Sequence, residues 1–349
     1  MKPILLLIFI AYGYVLRSQD TIRVTTTNPN QSAEIDYNAG LDEIKKNNYS
    51  AAAVLFSKCI SVKPDFDKAL CNRAVAYTEL KQFAQALVDI NKAIQLNANN
   101  PEAYFNKGVV FFGLHESDSE LVALNNCLNL KPNHSEALYY KGLLFYEKNE
   151  TVQAIDFYTR AIAAKPDYPY AYNDRASAKR SVGDYVGAIA DYEKAISFNN
   201  SMVFIYNNLG SAYRLNKNLP KAIEAYTKAI SADPSYLTAL HNRGATYFED
   251  NDFRSARIDF ESVIKFDPDN SFAFNNLASI ALKEKDYKKA MELSTKSILL
   301  NPKNGPAYYN RGIASQMLRD ENGCCLDWKK ALKLGVEGAQ NLINIFCSN

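Results

Sequence analysis

The chain has 349 residues and a formal net charge of +2 at pH 7, with 40 basic residues against 38 acidic ones. This balance argues against an overall electrostatic attraction to nucleic acid or to an acidic membrane surface, so no nucleic-acid partner is expected. The length alone would allow two ordinary domains, but an internal repeat, described below, indicates one repetitive array instead.

Residues 1–18 have the layout of a secretory signal peptide. Lys2 precedes the mostly apolar run Ile4–Leu16, which is too short to span a bilayer comfortably, and the small Ser18 follows. We therefore expect an exported protein, secreted or held in the periplasm or cell envelope, that does not insert into the membrane once the signal is removed. An uncleaved membrane anchor and a cytosolic protein are the alternatives. The polar stretch 19–32 predicts a flexible lead-in.

A pattern of 34 residues begins at Ala33 and recurs without insertion or deletion as far as Gly338. Its eighth position is always Gly or Ala, and its twenty-eighth is always Ile or Leu. In each repeat, apolar residues at helical spacing form two stretches separated by a short turn, which predicts two amphipathic helices. The nine predicted repeats are 33–66, 67–100, 101–134, 135–168, 169–202, 203–236, 237–270, 271–304 and 305–338.

The sixth repeat shows the pattern most clearly. Its first helix and its second helix carry apolar and small residues at fixed positions, and a proline closes it; these residues are Tyr206, Leu209, Gly210, Tyr213, Ala222, Tyr226, Ala229, Ile230 and Pro234. The set and its spacing resemble the tetratricopeptide repeat, a helix–turn–helix motif of the same length. The resemblance implies an all-α fold, a right-handed α-solenoid of nine repeats in which neighbours bury one another's apolar faces. A capping helix is predicted at 339–349.

The third repeat departs from the pattern at the twentieth position. Every other repeat has Ala or Cys there, where the two helices approach each other, but the third has Glu120. A carboxylate at a helix contact predicts that the helices splay or that the side chain turns outward. We therefore expect the weakest stacking of the array at this point.

The seventh and twenty-third positions vary together. Four repeats have Arg at the seventh and Asp at the twenty-third, whereas repeats with Leu at the seventh have Ala or Leu at the twenty-third. This covariation predicts a partly desolvated salt bridge between the two helices of one repeat. Lys107 and Lys141 hold the seventh position without an acidic partner, which predicts that they face solvent. The predicted pairs are Arg73–Asp89, Arg175–Asp191, Arg243–Asp259 and Arg311–Asp327.

The sixth position, on the first helix, is Asn in seven of the nine repeats. In the family that the repeat resembles, first helices line the concave surface, and a carboxamide both donates and accepts hydrogen bonds with an extended peptide backbone. The row is similar to the asparagine ladder of the O-linked N-acetylglucosamine transferase superhelix, which implies peptide contact. The alternative is that Asn occupies this position without contacting a ligand. The seven residues are Asn38, Asn72, Asn106, Asn208, Asn242, Asn276 and Asn310.

The positions beside this row change along the chain. In the first four repeats they are apolar and aromatic, which predicts a wall for hydrophobic peptide side chains unless these residues are buried against one another. In the fifth and sixth repeats they are polar or basic, which predicts contact with a polar or acidic part of the ligand. The predicted contacts are Tyr37, Phe105, Phe112, Tyr139 and Tyr146 in the first group, and Arg180 and Arg214 in the second.

The six cysteines include no Cys-x-x-Cys pair, which argues against a zinc ribbon or a thioredoxin-like site. The end of the chain resembles the closing repeat of exported bacterial tetratricopeptide proteins. The capping helix is expected to run antiparallel to the helix that carries Cys325, which predicts a disulfide between Cys325 and Cys347 with Cys324 as the competing partner. Whether Cys59 and Cys71 are bonded is left open.

The sequence contains no recognisable catalytic arrangement. The histidines are not at metal-ligand spacing, and phosphate-binding loops and nucleophile elbows are absent. We therefore expect a non-enzymatic scaffold, without cofactor or metal, that binds a peptide or protein segment in a concave groove. The alternative is a structural or assembly subunit of a cell-envelope complex that uses its convex face and array ends. A co-chaperone is not expected, because the Lys and Asn of the carboxylate clamp are missing from the fifth and ninth positions.

Overall fold

The computed structural model describes residues 31–347, which form 19 α-helices without a strand in that range. The predicted signal peptide and most of the predicted lead-in, together with the last two residues, lie outside the described residues. Two helices occupy each repeat, and within each of the two units described below the helices pack against their neighbours in the chain, which confirms the predicted all-α solenoid. The helices are α1 (Gln31–Lys45), α2 (Tyr49–Val62), α3 (Asp67–Glu79), α4 (Phe83–Leu96), α5 (Pro101–Leu114), α6 (Ser117–Leu130), α7 (Ser135–Glu147), α8 (Thr151–Ala164), α9 (Pro169–Ser181), α10 (Tyr185–Phe198), α11 (Val203–Leu215), α12 (Leu219–Ala232), α13 (Leu237–Glu249), α14 (Phe253–Phe266), α15 (Ser271–Lys283), α16 (Tyr287–Leu300), α17 (Gly305–Met317), α18 (Glu321–Lys333) and α19 (Ala339–Phe346).

The sixth repeat illustrates why each pair of helices forms. Gly210 lies against the ring of Tyr226, and a Cβ atom at this glycine would be only 2.7 Å from the ring. A larger residue at the eighth position would therefore push the two helices apart. Asn218 precedes the second helix, and its side chain accepts a hydrogen bond from the backbone N–H of Lys221 and so caps the helix.

Every turn between the two helices of a repeat contains a residue with positive φ at the fifteenth position. Gly183 holds this position in the fifth repeat, whereas the other eight repeats have non-glycine residues with φ between 57° and 66°. This left-handed conformation is uncommon for residues with a side chain, and it lets the chain reverse direction within a few residues. The eight residues are Asn47, Lys81, His115, Asn149, Lys217, Asn251, Lys285 and Arg319.

The chain divides into two compact units, an N-terminal unit that ends at Ala178 and a C-terminal unit that begins at Lys179. Within each unit, neighbouring first helices contact one another, as α3 does with α5 and α15 with α17. Within the described residues of either unit, no comparable contact joins neighbouring second helices. The first helices therefore lie on the inside of the curve of each unit, and we call their surface the inner face and that of the second helices the outer face.

Three of the four predicted inter-helix salt bridges are present. Each arginine donates through Nε and Nη2 to the two carboxylate oxygens of its aspartate, over 2.7 to 2.9 Å. The three aspartates are buried, so each guanidinium satisfies a carboxylate that water does not solvate. The fourth pair lies on opposite sides of the boundary between the units and stays a prediction. The three pairs are Arg73–Asp89, Arg243–Asp259 and Arg311–Asp327.

Where the seventh position is Arg or Lys, its side chain also connects the repeat to the one before it, a role that the sequence did not indicate. Arg243 Nη1 donates to Thr227 of the preceding repeat over 3.0 Å. Lys107 Nζ and Lys141 Nζ donate to Asn91 and Asn125 of their preceding repeats, over 2.8 and 2.9 Å. The prediction that these lysines simply face solvent is therefore wrong, because both are half-buried and bind the neighbouring repeat.

Glu120 neither turns outward nor separates the helices of the third repeat. Its side chain is 2 % exposed, and its Oε1 has no hydrogen-bond partner within the described residues. The helices remain close, since a Cβ atom on Gly108 would lie 2.8 Å from Leu124. Burial, together with the nearby charge of Glu147, raises the pKa of Glu120 to about 8. A pKa in this range keeps the carboxyl mostly protonated at pH 7, which avoids the cost of burying a charge.

The last helix, α19, covers the end of the ninth repeat. Ala339 is buried, and the ring of Phe346 lies 5.8 Å from that of Trp328 on α18. A disulfide joins Cys325 to Cys347, with a Cα–Cα distance of 5.7 Å. Cys59 and Cys71, whose pairing the sequence left open, are free thiols buried in the first two repeats.

Candidate functional site

The asparagines of the sixth position lie on the first helices, but their side chains are less accessible than a ligand-binding ladder requires. Three of the seven, Asn72, Asn106 and Asn310, are at most 8 % exposed. The other four are half-buried; these are Asn38, Asn208, Asn242 and Asn276. Contact between this row and a peptide stays a prediction, and for the three buried residues it would require a rearrangement of the inner face.

The amides of this row make hydrogen bonds between neighbouring repeats. Asn242 Nδ2 donates to Asn207 Oδ1 over 2.9 Å, and Asn310 Nδ2 donates to Asn275 Oδ1 over the same distance. In the N-terminal unit, Asn72 Nδ2 donates to the hydroxyl of Tyr37 over 3.0 Å. The sixth position of one repeat thus binds the fifth position of the repeat before it. The amide groups hold the repeats together, which accounts for their recurrence without a ligand.

The predicted aromatic wall of the N-terminal unit is largely a core. Tyr37, Phe105 and Tyr139 are at most 5 % exposed, and Phe105 packs against the rings of His134 and Tyr140. These three residues are therefore core residues and not the direct peptide contacts that the sequence predicted, because neighbouring repeats cover their rings. Phe112 and Tyr146 are half-buried at the same face.

The ninth position also closes the inner face of the N-terminal unit. Leu41, Val75 and Val109 are at most 2 % exposed, and they lie beside the buried fifth-position residues of the same helices. In the first three repeats, therefore, both positions that would present a floor to a ligand are filled by apolar packing. An open apolar groove is not formed there.

The inner face of the C-terminal unit is built differently. The ninth position is Ser211, Ala245 and Ser279 in three successive repeats, and all three small residues are half-buried. The fifth position beside them is polar, with Asn207 and Asn275 in the sixth and eighth repeats, but both are at most 7 % exposed and accept hydrogen bonds from Asn242 and Asn310. Small side chains at the ninth position of successive repeats leave a shallow floor, while the neighbouring fifth-position amides are engaged between repeats.

Two edges of this floor differ in chemistry. Phe272, near the start of α15, is 56 % exposed and is the most exposed phenylalanine among the described residues. At the other end of the first helices, Arg214 donates to Glu249 over 2.8 Å, and Lys217 lies 3.4 Å from the same carboxylate. The hydrogen bond from Arg214, reinforced by both positive charges, lowers the pKa of Glu249. The floor thus lies between an aromatic edge and a charged edge.

Arg180 and Arg214, which the sequence predicted as peptide contacts, both act electrostatically on Tyr226. Burial raises the pKa of Tyr226, while a hydrogen bond with Ser211 and the charges of Arg214 and Arg180 oppose that shift. Both arginines are half-buried. Arg214 also acts on the neighbouring repeat, since burial and the charge of Arg214 lower the pKa of His241.

His241 therefore presents a neutral imidazole to the floor at pH 7. Its Nε2 lies 3.4 Å from Asn276 Nδ2, so the ring accepts from the amide and carries its proton on Nδ1. Asn207 is one of the polar positions that the sequence indicated in the fifth and sixth repeats, whereas Asn275 and His241 were not predicted as site residues. Their signal was the fifth position, which is aromatic or cysteine in the first four repeats, Asn or His in the fifth to eighth, and Tyr309 in the ninth.

The described residues contain no group of three or more His, Cys, Asp or Glu side chains arranged to hold a metal ion. Within residues 31–347, no helix is both long and apolar enough to cross a membrane.

Family models described as tetratricopeptide repeat match the chain at six places that together cover more than half of it. The matches are residues 67–100 and 203–236 for one model, 119–169 for a second, and 169–201, 237–270 and 273–304 for a third. A search of curated proteins gave no match.

Solved structures of repeat proteins are similar to the chain. The Cut9–Hcn1 hetero-tetramer of the APC/C has a TM-score of 0.53 at 13 % identity, over 93 % of this chain and 78 % of the other. YrrB, described as a TPR protein with an unusual peptide-binding site, has a TM-score of 0.45 at 20 % identity, over 53 % and 96 %. TTC0263, a thermophilic TPR protein of Thermus thermophilus, has a TM-score of 0.47 at 19 % identity, over 52 % and 99 %. The likeness to Cut9–Hcn1 is one of fold alone.

Proposed function

The chain belongs to the tetratricopeptide repeat family, and we propose that it is a non-enzymatic scaffold that binds a protein or peptide segment on the inner face of its C-terminal unit. The observation that carries this proposal is the contrast at the ninth position. In the N-terminal unit, large apolar side chains fill the inner face at this position; these are Leu41, Val75 and Val109. In the C-terminal unit, small side chains leave a shallow floor there; these are Ser211, Ala245 and Ser279.

The chemistry of the floor favours an extended segment. A strand-like peptide presents backbone N–H and C=O groups at regular spacing, and the half-buried polar side chains of Ser211, Asn242 and Ser279 are of the type that hydrogen-bonds with such groups. Phe272, exposed at one edge, supplies apolar contact area, and large aromatic side chains commonly dominate interface energy. An acidic side chain of the ligand would be placed at Arg214, where it competes with Glu249.

The test begins with a peptide library selected against the purified full-length protein, followed by titration of one selected peptide. Ala245→Glu, which fills the floor, and Phe272→Asp, which removes the aromatic edge, should each weaken its binding about tenfold or more, equivalent to about 1.4 kcal/mol. Ile258→Asp is the matched control, because Ile258 has the same 56 % exposure as Phe272 but lies on the outer-face helix α14. Equal affinity in all three variants would contradict binding at this face.

A second candidate function is assembly of a larger complex through the outer face. Three valines at the same position of successive repeats, Val54, Val88 and Val122, are 57 to 68 % exposed on the outer face of the N-terminal unit. A row of exposed apolar side chains is typical of a contact surface. Val88→Asp should release a partner held there and leave the peptide titration unchanged, whereas Ala245→Glu should have the opposite effects.

Export is part of the proposal and rests on the first 18 residues of the sequence. Fractionation of cells that express the full-length chain, with sequencing of the mature N-terminus, tests it. An exported protein that begins near residue 19 is expected. Recovery of the intact chain from the cytosol would contradict export without affecting the peptide-binding proposal.

A further inference from the structure

Three cysteines meet at the C-terminal cap, and two of them are bonded to each other. Cys325 on α18 is joined to Cys347 at the end of α19, whereas Cys324 is a free thiol that is 1 % exposed. The Sγ atom of Cys324 lies 4.0 Å from that of Cys325, and its thiol donates to the backbone carbonyl of Glu321 over 3.1 Å. A protonated thiol is thus held next to a disulfide.

The geometry decides which sulfur this thiol can attack productively. Consecutive Cα atoms are about 3.8 Å apart, which is shorter than the span of roughly 4.4 to 6.8 Å that disulfides bridge, so a bond between Cys324 and Cys325 does not fit an intact helix. Cys347 is different. An S–S bond is about 2 Å long, so the Sγ atom of Cys347 lies within about 6 Å of that of Cys324.

We propose that Cys324 is an exchange thiol for this disulfide, so that either Cys325 or Cys324 holds the cap through Cys347. In the exchange, Cys324 loses its proton, and its thiolate attacks the Sγ atom of Cys347. The bond between Cys324 and Cys347 forms as the bond between Cys325 and Cys347 breaks, and Cys325 leaves as a thiolate that takes up a proton. The number of thiols and disulfides is unchanged, and the step requires neither oxidant nor reductant.

The two linkages place the cap differently. Cys324 belongs to the buried cluster that contains Trp328 and Ala339, whereas Cys325 is half-buried at the edge of that cluster. Transfer of the bond to Cys324 therefore draws the end of α19 around α18 and alters the contact between the rings of Phe346 and Trp328. Trp328 is the single tryptophan of the chain, so its fluorescence reports the change directly.

The rate of exchange depends on pH because only the thiolate attacks. Burial, with a smaller contribution from Asp320, raises the pKa of the Cys324 thiol, which makes the exchange slow at neutral pH. Well below the pKa, each pH unit raises the thiolate fraction, and with it the exchange rate, about tenfold.

The test compares Cys325→Ser with Cys324→Ser in the full chain, after equilibration at pH 8 in a glutathione buffer, with Cys127→Ser as the control for loss of a buried thiol elsewhere. In Cys325→Ser, Cys324 and Cys347 should be protected from alkylation, and the tryptophan emission should differ from that of Cys324→Ser. In Cys324→Ser, the disulfide between Cys325 and Cys347 should persist. Folding of both variants is checked by circular dichroism.

The wild-type chain supplies a second measurement that does not depend on the stability of the variants. After equilibration with a trace of reduced glutathione, mass-spectrometric fragmentation between residues 324 and 325 should show both linkages. Free Cys324 and Cys347 in a folded Cys325→Ser would overturn the proposal. So would a wild-type chain that shows only the linkage from Cys325 to Cys347 after prolonged equilibration.

Discussion

Arg243 donates to both carboxylate oxygens of Asp259, through Nε over 2.9 Å and through Nη2 over 2.7 Å. The two residues lie on different helices of the seventh repeat, and Asp259 is 2 % exposed. The remaining Nη1 group of Arg243 reaches Thr227 in the preceding repeat. One side chain therefore links the two helices of its own repeat and also couples that repeat to its neighbour.

Removal of one partner of this pair should be costly. Asp259→Ala leaves the half-buried guanidinium of Arg243 without its carboxylate and should lower the free energy of unfolding by about 3 kcal/mol. The double variant Arg243→Leu with Asp259→Ala reproduces the Leu209 and Ala225 of the sixth repeat, so it should recover much of that loss. Urea unfolding followed by circular dichroism measures both effects. A double variant as unstable as the sum of the single variants would show that the residues do not interact.

Glu120 should make the protein less stable as the pH rises. Its pKa in the folded protein is about 8, above the ordinary value of 4.5, so between these values the folded chain holds a proton that the unfolded chain has released. The stabilisation is complete below about pH 4.5 and is lost as the pH passes through 8. Melting temperatures at pH 5, 7 and 9 should therefore fall in this order, and Glu120→Ala should flatten the dependence.

Glu120→Ala should also stabilise the protein at pH 8 by about 2 kcal/mol, since it replaces a buried carboxyl, whose Oε1 has no hydrogen-bond partner among the described residues, by the Ala of seven other repeats. Burial also raises the pKa of Glu79, to about 7, so this residue contributes a pH dependence of its own. Glu79→Gln is therefore the control: it removes the contribution of Glu79 and leaves that of Glu120 in place. A pH profile unchanged by Glu120→Ala would contradict the assignment.

Hydrogen exchange should be fastest, apart from the termini, between Gly113 and Cys127, because the buried carboxyl of Glu120 lies in this segment.

Phe105→Ala should destabilise the N-terminal unit rather than remove a ligand contact. The side chain is 1 % exposed, so its truncation should cost about 3 to 5 kcal/mol. Phe112→Ala, on the same helix but half-buried, should cost clearly less. Thermal unfolding of the two variants distinguishes these outcomes. Equal, small losses in both would indicate that the ring of Phe105 is not packed in the core.

The left-handed turns provide a test of backbone conformation alone. Lys217 has φ of 62°, a conformation in which a side chain carries a steric penalty that glycine lacks. The free energy of unfolding of Lys217→Gly should therefore lie between that of the wild-type chain and about 1 kcal/mol above it. Gly183 has φ of 87°, and Gly183→Ala should destabilise the chain by about 1 kcal/mol. Among the described residues, no atom lies within 4 Å of a Cβ built at Gly183, so this effect comes from the backbone. Opposite signs for the two variants in thermal unfolding are expected.

The sequence determined the repeat, the pair of helices in it and the salt bridges inside it. Apolar residues at helical spacing specify where each helix forms, and the small residue of the eighth position specifies where two helices touch. The pairing of Arg243 with Asp259 could be predicted from the sequence, because their two positions lie in one repeat and vary together from repeat to repeat.

The tertiary structure decided which side chains are buried between repeats and which stay accessible on the inner face. Asn242 binds Asn207, and Lys141 binds Asn125, in each case across two repeats whose stacking sets the distance. Helical periodicity places a side chain on a helix face, but it does not say whether the next repeat covers that face. Neighbouring repeats cover Tyr37 and leave Phe272 exposed, a difference that depends on how the helices stack and not on their periodicity.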